Sequence, residues 1–478
     1  MIRPCTLAAA CALAATAAPA LAAPASPATA IALRERALVD PTAYSIVSSL
    51  TTEVGPRMAG SEAAARARDW GLAKLRALGF ENVHAEPFTI TAWARGPESA
   101  EVVSPAPQKL RILGLGGSVP TPAGGIEAEI AVFHSFDELL AAPPGSLAGK
   151  IAVINQPMTR TQDGSGYGAI NPIRRRAPAE AAKRGAVAYL VRSLSTSDGR
   201  EPHTGATGQE APRIPAAALG APDADLLDRL AALGRPVRVR LSLASAETPG
   251  APAWNVVGEI RGRERPDQAV VIGGHLDSWD PGQGAIDDGA GVAITTAAAH
   301  LIAALPQRPR RTIRVVMFGD EEMDFSGAAY EAAHAAEAAS IVAVGESDLG
   351  SDPIWSLQLP LGAYAPARQL TPAQAAPQLQ PLASILAPMR IFIADQPAQF
   401  TGSDFAALQV KDAVPGFSFR QDASRYFDYH HSAEDTLDKV DPKGLAQNVA
   451  AWTVLVYLVA DSDLDFRALG AGPPAPER

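Results

Sequence analysis

The sequence predicts an α/β fold in which helices cover a mostly parallel mixed sheet, with a small β-rich domain inserted into it. From Trp254 onward, short apolar runs typical of strands alternate with helical patterns, which favours parallel strands joined by crossover helices. Before that point, proline and glycine cluster over residues 104–125, and several short β runs follow with one helix among them. The chain has 478 residues, of which 47% are hydrophobic, so it is long enough to bury a substantial core.

The N-terminal segment predicts export. Arg3 precedes an apolar stretch rich in alanine and leucine, and small residues at its end suit a cleavage site, so residues 1–22 are predicted to be a signal peptide. The protein is therefore expected in the periplasm or outside the cell. Both cysteines, Cys5 and Cys11, lie in this segment, so the mature chain would have neither disulfides nor thiolate ligands.

Residues 23–117 are predicted to form the N-terminal part of the main domain. A helical pattern begins at Ala32, and another runs from Glu62 to Leu78, where Gly79 ends it. The run "NVHAEPFTITAW" follows as a strand. The inserted domain is predicted over residues 118–249, because "EAEIAVFHS", "KIAVINQ", "GAVAYLVRS" and "PVRVRLSLAS" are short β runs around the helical segment "APAEAAKRGA".

Residues 250–466 are predicted to be the rest of the main domain, with strands at "AVVIGG", "TIRVVMFG", "SIVAVGES", "MRIFIAD" and "PGFSF". Residues 467–478 are rich in proline and glycine and are predicted to be disordered. The mature chain has no uncharged apolar run long enough to span a membrane. A formal net charge of -10 makes it a poor candidate for binding nucleic acid or an anionic membrane surface.

Acidic side chains and imidazoles follow the strands whose carboxyl ends should meet at one edge of the sheet. His275 and Asp277 follow "AVVIGG", and Glu321 and Glu322 follow "TIRVVMFG". The other members of this set follow a glycine turn and two further strands, and they are Asp287, Asp288, Asp348, His430, His431 and Asp435. Each alone has an ordinary explanation, such as a helix N-cap or a solvated loop. Their recurrence at these five places indicates a site.

The residue types in this set predict a metal centre. Histidine and carboxylate ligands without thiolates suit divalent zinc, cobalt or manganese. Two ions that share one carboxylate, with two further ligands each, would need five protein ligands. The set contains enough ligands, so a two-metal hydrolase is predicted.

With these motifs in hand, the chain resembles the carboxypeptidase Q (plasma glutamate carboxypeptidase) branch of the co-catalytic dizinc exopeptidases, which are related to bacterial leucyl aminopeptidases. The motifs "EVGPRMAGS", "GGHLDSWDPGQGAIDDGAG", "ESDLG" and "YHHSAEDT" occur in the order of that branch. The inserted domain resembles the protease-associated domain. The resemblance implies a zinc exopeptidase (phosphorylase/hydrolase-like) fold, with residues 250–466 as the catalytic domain. It also implies a secreted enzyme that hydrolyses dipeptides or short peptides with two Zn²⁺ ions and an activated water.

The resemblance also implies roles for individual residues. Asp287 would bridge the two metals, and the remaining metal ligands would be His275, Glu322, Asp348 and His431. His431 is preferred to its neighbour His430, because the family spacing is a histidine, three residues, then Asp-Thr. Glu321 would be the general base. Asp277 would hold the other ring nitrogen of His275 and so fix its tautomer and orientation.

Several matters stay open in the sequence. Asp324 stands where relatives commonly have glycine, and Phe400 stands near where some aminopeptidases carry a tyrosine that steadies the oxyanion, for which Tyr429 is the alternative. Other functions of the same metal scaffold are an amidohydrolase and a glutaminyl-cyclase-like transferase, and a non-catalytic binding protein is a further alternative. The sequence does not decide which end of the peptide is recognised. The relatives suggest a homodimer.

Overall fold

The computed structural model describes residues 25–324, 326–360, 379–394, 401–464 and 466. The predicted signal peptide (1–22), the predicted disordered tail (467–478) and Phe400 lie outside these ranges. None of the helices in the described ranges combines the length and hydrophobicity that a membrane span requires.

The strands and helices of the described ranges are numbered separately in chain order. The strands are β1 (Glu81–Ala94), β2 (Glu98–Ser104), β3 (Gln108–Leu110), β4 (Ile112–Gly114), β5 (Ile126–Phe133), β6 (Ile151–Ile154), β7 (Ala188–Arg192), β8 (Ala216–Leu219), β9 (Arg238–Leu243), β10 (Ala246–Ile260), β11 (Arg265–His275), β12 (Arg311–Phe318), β13 (Ile341–Glu346), β14 (Ile354–Gln358), β15 (Phe392–Ile393) and β16 (Ser418–Gln421). The helices are α1 (Pro27–Ala37), α2 (Thr42–Glu53), α3 (Glu62–Ala77), α4 (Phe136–Ala141), α5 (Ser165–Ile170), α6 (Pro172–Arg175), α7 (Ala177–Lys183), α8 (Ala221–Ala231), α9 (Ala290–Ala303), α10 (Glu321–Asp324), α11 (Gly327–His334), α12 (Leu382–Leu386), α13 (Ala406–Asp412) and α14 (Pro442–Ala460). Short 3₁₀ helices connect several of them.

Five strands form the main sheet, in the order β1-β10-β12-β11-β13. Strands β12, β11 and β13 are parallel, so their carboxyl ends lie side by side. Strands β1 and β10 pair antiparallel with each other, and β10 pairs antiparallel with β12. Much of β1 is exposed to solvent, and antiparallel pairing tolerates one solvated face, whereas β12 and β13 are buried along almost their whole length. The α/β class and mixed sheet are confirmed, and within the main sheet three of the five strands are parallel.

A second, eight-stranded sheet has the order β3-β2-β9-β5-β6-β7-β8-β4. All of its strands come from residues 98–243, which are called the second-sheet segment below. Strand β4 pairs with β8 and so belongs to this sheet. The sheet therefore begins before residue 118, where the sequence predicts the start of the inserted domain. A three-stranded sheet, β15-β14-β16, lies beyond the last strand of the main sheet.

Helices cover the main sheet as predicted. Helices α9 and α14 pack against each other and against β11, while α3 packs on β1 and β10. Helix α9 consists largely of alanine, valine, isoleucine and threonine and is buried on nearly every side. Helix α3 begins where the sequence predicts, because the Ser61 side chain accepts a hydrogen bond from the Ala64 N–H (3.1 Å) and caps its first turn. Helices α9 and α14 therefore pack on β11, the strand that ends at the candidate residue His275.

Candidate metal centre

The carboxyl ends of the parallel strands carry acidic and imidazole side chains, as the sequence predicts. His275 is the last residue of β11, and Glu321 and Glu322 open helix α10 directly after β12. Asp348 lies two residues beyond the end of β13. His275 and Glu322 are buried, while Glu321 and Asp348 are half-buried. The site therefore lies at the crevice that open α/β sheets offer beyond their strand ends.

Asp287 is presented by the turn Ala285–Gly289, directly before α9, in which the backbone of Asp287 and Asp288 is not helical. The Asp435 carboxylate holds this turn in place, since it accepts hydrogen bonds from the backbone N–H groups of residues 285, 286 and 287 at 2.8, 2.8 and 3.3 Å. The peptide bond between Asp287 and Asp288 is cis. Asp435 itself is buried, and burial, with a further contribution from the charge of Asp287, raises its pKa to about 7.

One side of the Asp287 carboxylate faces the first group of candidate ligands. His275 Nε2 lies 3.2 Å from Asp287 Oδ1 and 3.6 Å from Asp348 Oδ1. One ligand atom from each of the three residues falls within 4.8 Å of the others, which is compact enough to surround one cation.

The other carboxylate oxygen of Asp287 faces a second group. His431 Nε2 lies 3.3 Å from Asp287 Oδ2 and 3.0 Å from Glu322 Oε2. His430 Nε2 is 3.6 Å from the same Asp287 oxygen, and its ring stacks on His431 with the centroids 3.5 Å apart. Both imidazoles therefore reach the site, and His431 alone of the two is within ion-pair distance of a second carboxylate of the described residues.

The donor set fits divalent cations. Asp287 Oδ2, Glu322 Oε1 and His430 Nδ1 are buried atoms for which the described residues supply no hydrogen-bond partner. Burial, followed by the charge of neighbouring carboxylates, raises the pKa of Glu322 well above its usual range. Buried carboxylates that repel one another and lack donors are stabilised by a positive ion between them.

The pKa values of His275 and His431 are shifted in opposite directions. Burial disfavours protonation of His275, but hydrogen bonding to Asp277, Asp287 and Asp348 outweighs it and raises its pKa well above the usual range. For His431, burial is the largest effect and the charge of His430 adds to it, so the pKa falls well below the usual range. His431 is thus held as a neutral imidazole, the form that binds metals.

Asp277 contacts both His275 at the end of β11 and the two glutamates that follow β12. Its Oδ1 accepts a hydrogen bond from the Glu321 N–H (3.1 Å) and its Oδ2 from the Glu322 N–H (3.2 Å). His275 Nδ1 donates to the Asp277 backbone carbonyl at 3.1 Å, with the carboxylate Oδ1 at 3.5 Å. The sequence predicts that Asp277 holds the second ring nitrogen of His275, and the backbone carbonyl of Asp277 makes the shorter contact to it. The Asp277 carboxylate instead fixes the first turn of α10.

Replacing Asp277 with asparagine should weaken zinc binding by about 10- to 100-fold, as loss of groups that orient metal ligands does elsewhere. The asparagine NH₂ would face one of the two backbone N–H donors at the start of α10. Because two donors cannot pair, α10 would shift and move Glu322 with it. Competition with a chelator of known affinity measures the change. Asp280→Asn is the matched control, because Asp280 pairs with Arg95 instead (2.6 Å). If the Asp277 variant binds zinc as tightly as the wild type, Asp277 does not help to position the metal ligands.

Glu321 differs from its neighbour Glu322 in that neither ligand group includes it. Ser403 donates a hydrogen bond to Glu321 Oε1. Burial, followed by the charges of Asp348 and Asp277, raises the pKa of Glu321 to about 7. A carboxylate outside the ligand groups, with a pKa near neutrality, has the properties of a general base.

The site opens into a cavity of about 500 Å³. It is lined by the candidate ligands Asp287, Glu322 and His431 and, from the second-sheet segment, by Tyr167 and Arg175. A second cavity of about 450 Å³ adjoins it and shares Tyr167, Asp348 and Ser403. The space beside the candidate ligands therefore suits a small molecule.

Comparison with known proteins decides the family. Residues 255–456 match the family model described as peptidase family M28. Carboxypeptidase Q of Bos taurus is 39% identical over 421 residues, which cover 87% of this chain and 85% of that protein. The chain belongs to peptidase family M28.

Solved structures agree with this membership. The peptidase M28 precursor of Shewanella amazonensis is 40% identical, with a TM-score of 0.87 over 94% of this chain and 99% of that one. A zinc aminopeptidase of Bacillus subtilis, 18% identical, shares the fold with a TM-score of 0.62 over 89% of this chain and 96% of its own. The prediction that this M28 peptidase is a metallo-exopeptidase is confirmed.

Arg57 is a residue of the site that was not predicted. It is fully buried and donates to the carbonyls of Gln283 (2.7 Å) and Gly284 (2.8 Å), which fixes the loop before the Ala285–Gly289 turn. Asp288, which the sequence places among the candidate residues, accepts a hydrogen bond from the His275 N–H (3.0 Å) and so holds the backbone at the end of β11. Arg57 stands in the motif "EVGPRMAGS", which is the signal that could have pointed to it.

Two remaining predictions concern residues near the site. Tyr429, the alternative oxyanion donor, lines a different small cavity, and Tyr426 of the same loop lines the one beside the ligands. Asp324 is the last residue of α10, and its side chain lies outside the described part of the chain.

Proposed function

We propose that this M28 peptidase is an exported, two-zinc exopeptidase that hydrolyses dipeptides or short peptides. One observation carries the proposal: the two oxygens of the Asp287 carboxylate face two separate groups of ligand atoms. A carboxylate in that position is what a pair of metal ions a few ångströms apart requires as a bridge.

In this proposal each metal ion has two ligands of its own. His275 and Asp348 would hold one zinc with Asp287, because their ligand atoms form the first compact group. Glu322 and His431 would hold the other, supported by the 3.0 Å approach of their ligand atoms. His430 would stack on His431 without being a required ligand.

Two bound zinc ions would supply Lewis acidity, which polarises a carbonyl and makes a water more acidic. The chain's own contribution to the reaction would come from Glu321. Its carboxylate would take a proton from the attacking water and deliver it to the leaving amine as the C–N bond breaks. Ser403 would keep that carboxylate turned toward the cavity through its hydrogen bond.

The size of the cavity supports a short substrate. A space of about 500 Å³ that is bounded by the second-sheet segment leaves no room for a folded protein. We take this segment to be the predicted protease-associated insertion, and its role would be to limit access to the centre. Export through the predicted signal peptide and assembly as a homodimer are parts of the same proposal.

The test is a substrate panel on purified protein with measured zinc content. The panel contains dipeptides, N-acylated amino acids and peptides with N-terminal glutamine. Dipeptide hydrolysis that a chelator abolishes and zinc restores is the expected result. A zinc-loaded protein that leaves every dipeptide intact while it hydrolyses acylated amino acids, or cyclises glutamine, would contradict the proposal.

A further inference from the structure

The loop that follows β16 carries His431, and the second-sheet segment holds this loop in place. The Ser195 hydroxyl donates a hydrogen bond to the Phe427 carbonyl (2.8 Å), and the Arg160 guanidinium pairs with the Asp428 carboxylate (2.7 Å). Ser195 and Arg160 both belong to the second-sheet segment. The segment is therefore in direct contact with the loop that supplies a candidate metal ligand.

The same segment fixes the backbone of His431 itself. His203 Nδ1 donates to the His430 carbonyl at 2.6 Å, and the Thr204 N–H donates to the His431 carbonyl at 2.9 Å. These two carbonyls belong to the peptide bonds on either side of the His431 Cα. The backbone between them has a φ of 61°, a left-handed conformation that a residue other than glycine keeps only where its surroundings enforce it. The second-sheet segment supplies that enforcement, because it holds both peptide planes.

The second-sheet segment also orients the imidazole ring of His431. Its Nδ1 lies 3.2 Å from the Thr204 carbonyl, whereas the Arg174 Nη1 is farther away, at 3.5 Å. A carbonyl can only accept, so Nδ1 carries the ring proton and Nε2 keeps its lone pair. Nε2 is the atom that faces the carboxylates of Asp287 and Glu322. The Thr204 carbonyl therefore selects the tautomer that a metal ligand at this position needs.

Gly205 permits this close approach. Its φ is 130°, in the region that favours glycine. A Cβ at this position would lie 2.8 Å from His431 Nδ1 and would overlap the Arg174 guanidinium. A side chain here would therefore separate the segment from the ring and break the contact to the Thr204 carbonyl.

We propose that residues 203–205 of the second-sheet segment position His431 for the zinc ion that it holds with Glu322. The inference rests on the proposed function, and it makes the segment a part of the metal centre besides a limit on access. Groups that orient a metal ligand through hydrogen bonds typically contribute 10- to 100-fold to metal affinity. The other zinc site of the proposed pair does not include His431, so its affinity should not depend on these residues.

Zinc titration in competition with a chelator of known affinity measures both sites. His203→Gln should weaken one of the two zinc ions by about 10- to 100-fold, because glutamine places its NH₂ near the position of Nε2 and away from the His430 carbonyl. His203→Asn should bind both ions as the wild type does, since its NH₂ takes the place of Nδ1. Gly205→Ala should weaken one ion to a similar extent. His134→Gln is the matched control, because His134 lies in the same segment, is exposed and pairs with Asp228 (2.9 Å).

Two results would overturn the inference. One is zinc binding at both sites that equals the wild type in His203→Gln and in Gly205→Ala. The other is equal weakening of both ions together with a lower Tm of the zinc-free protein, which would mean that these residues only support the fold. Binding of a single zinc ion by the wild type would contradict the proposed function instead. In that case weaker binding of this ion by His203→Gln than by His203→Asn supports the positioning role, and equal binding overturns it.

Discussion

Replacing Glu321 with glutamine is expected to lower kcat by roughly 10²- to 10⁴-fold, the range for loss of a general acid–base group. Glutamine has nearly the same shape and keeps an oxygen for the Ser403 hydroxyl, which bonds Glu321 in the wild type. It has no basic group that could take a proton from the attacking water. Because Glu321 stands outside both ligand groups, the zinc content should stay near that of the wild type.

The matched variant is Glu322→Ala, one residue further along the same helix. Glu322 Oε2 lies 3.0 Å from His431 Nε2, so this change should remove zinc as well as activity. Metal analysis combined with steady-state kinetics therefore distinguishes the role of Glu321 from that of Glu322. Activity within about threefold of the wild type in the glutamine variant, far below the effect expected of a general base, would contradict the assignment of Glu321.

Replacing Asp287 with alanine should remove most of the bound metal, because both ligand groups share this carboxylate. Activity should fall below detection, since each group retains only two of its three ligands. Zinc should also no longer stabilise the fold: ligand binding to the native state raises the unfolding free energy, by about 2.7 kcal/mol at a concentration 100 times the Kd. Elemental analysis and thermal unfolding with and without a chelator measure both effects.

The control for this variant is Asp280→Asn in the same loop, where the carboxylate pairs with Arg95 (2.6 Å) and not with the candidate ligands. It should keep its zinc and its zinc-dependent rise in Tm. An Asp287 variant that binds as much zinc as this control would show that the carboxylate is not shared between two ions.

The positions of the candidate ligands follow from local signals, whereas the strand order does not. Polar residues at strand ends are a local signal, and parallel strands bring such ends together wherever they occur, so His275 and Asp348 lie within reach of each other. The strand order is a long-range property. The alternation of apolar and polar residues along β1 does not reveal that this strand pairs antiparallel with β10.

The pair His430 and His431 shows another limit. The family spacing favours His431 over His430 as the ligand. The backbone of His431 has a φ of 61°, in the left-handed region, and the two rings stack and both approach Asp287. Nothing in the residue types indicates that turn. The contact between Arg174 of α6 and His431 was equally hidden, because it depends on the whole tertiary fold.

Anomalous diffraction from zinc-loaded crystals would show whether two metal ions share Asp287. We expect two zinc peaks, both in contact with Asp287, one beside His275 and Asp348 and the other beside Glu322 and His431. Glu321 should contact neither ion. A single peak at full zinc occupancy, or two ions bound without Asp287, would rule out a bridging role for this carboxylate.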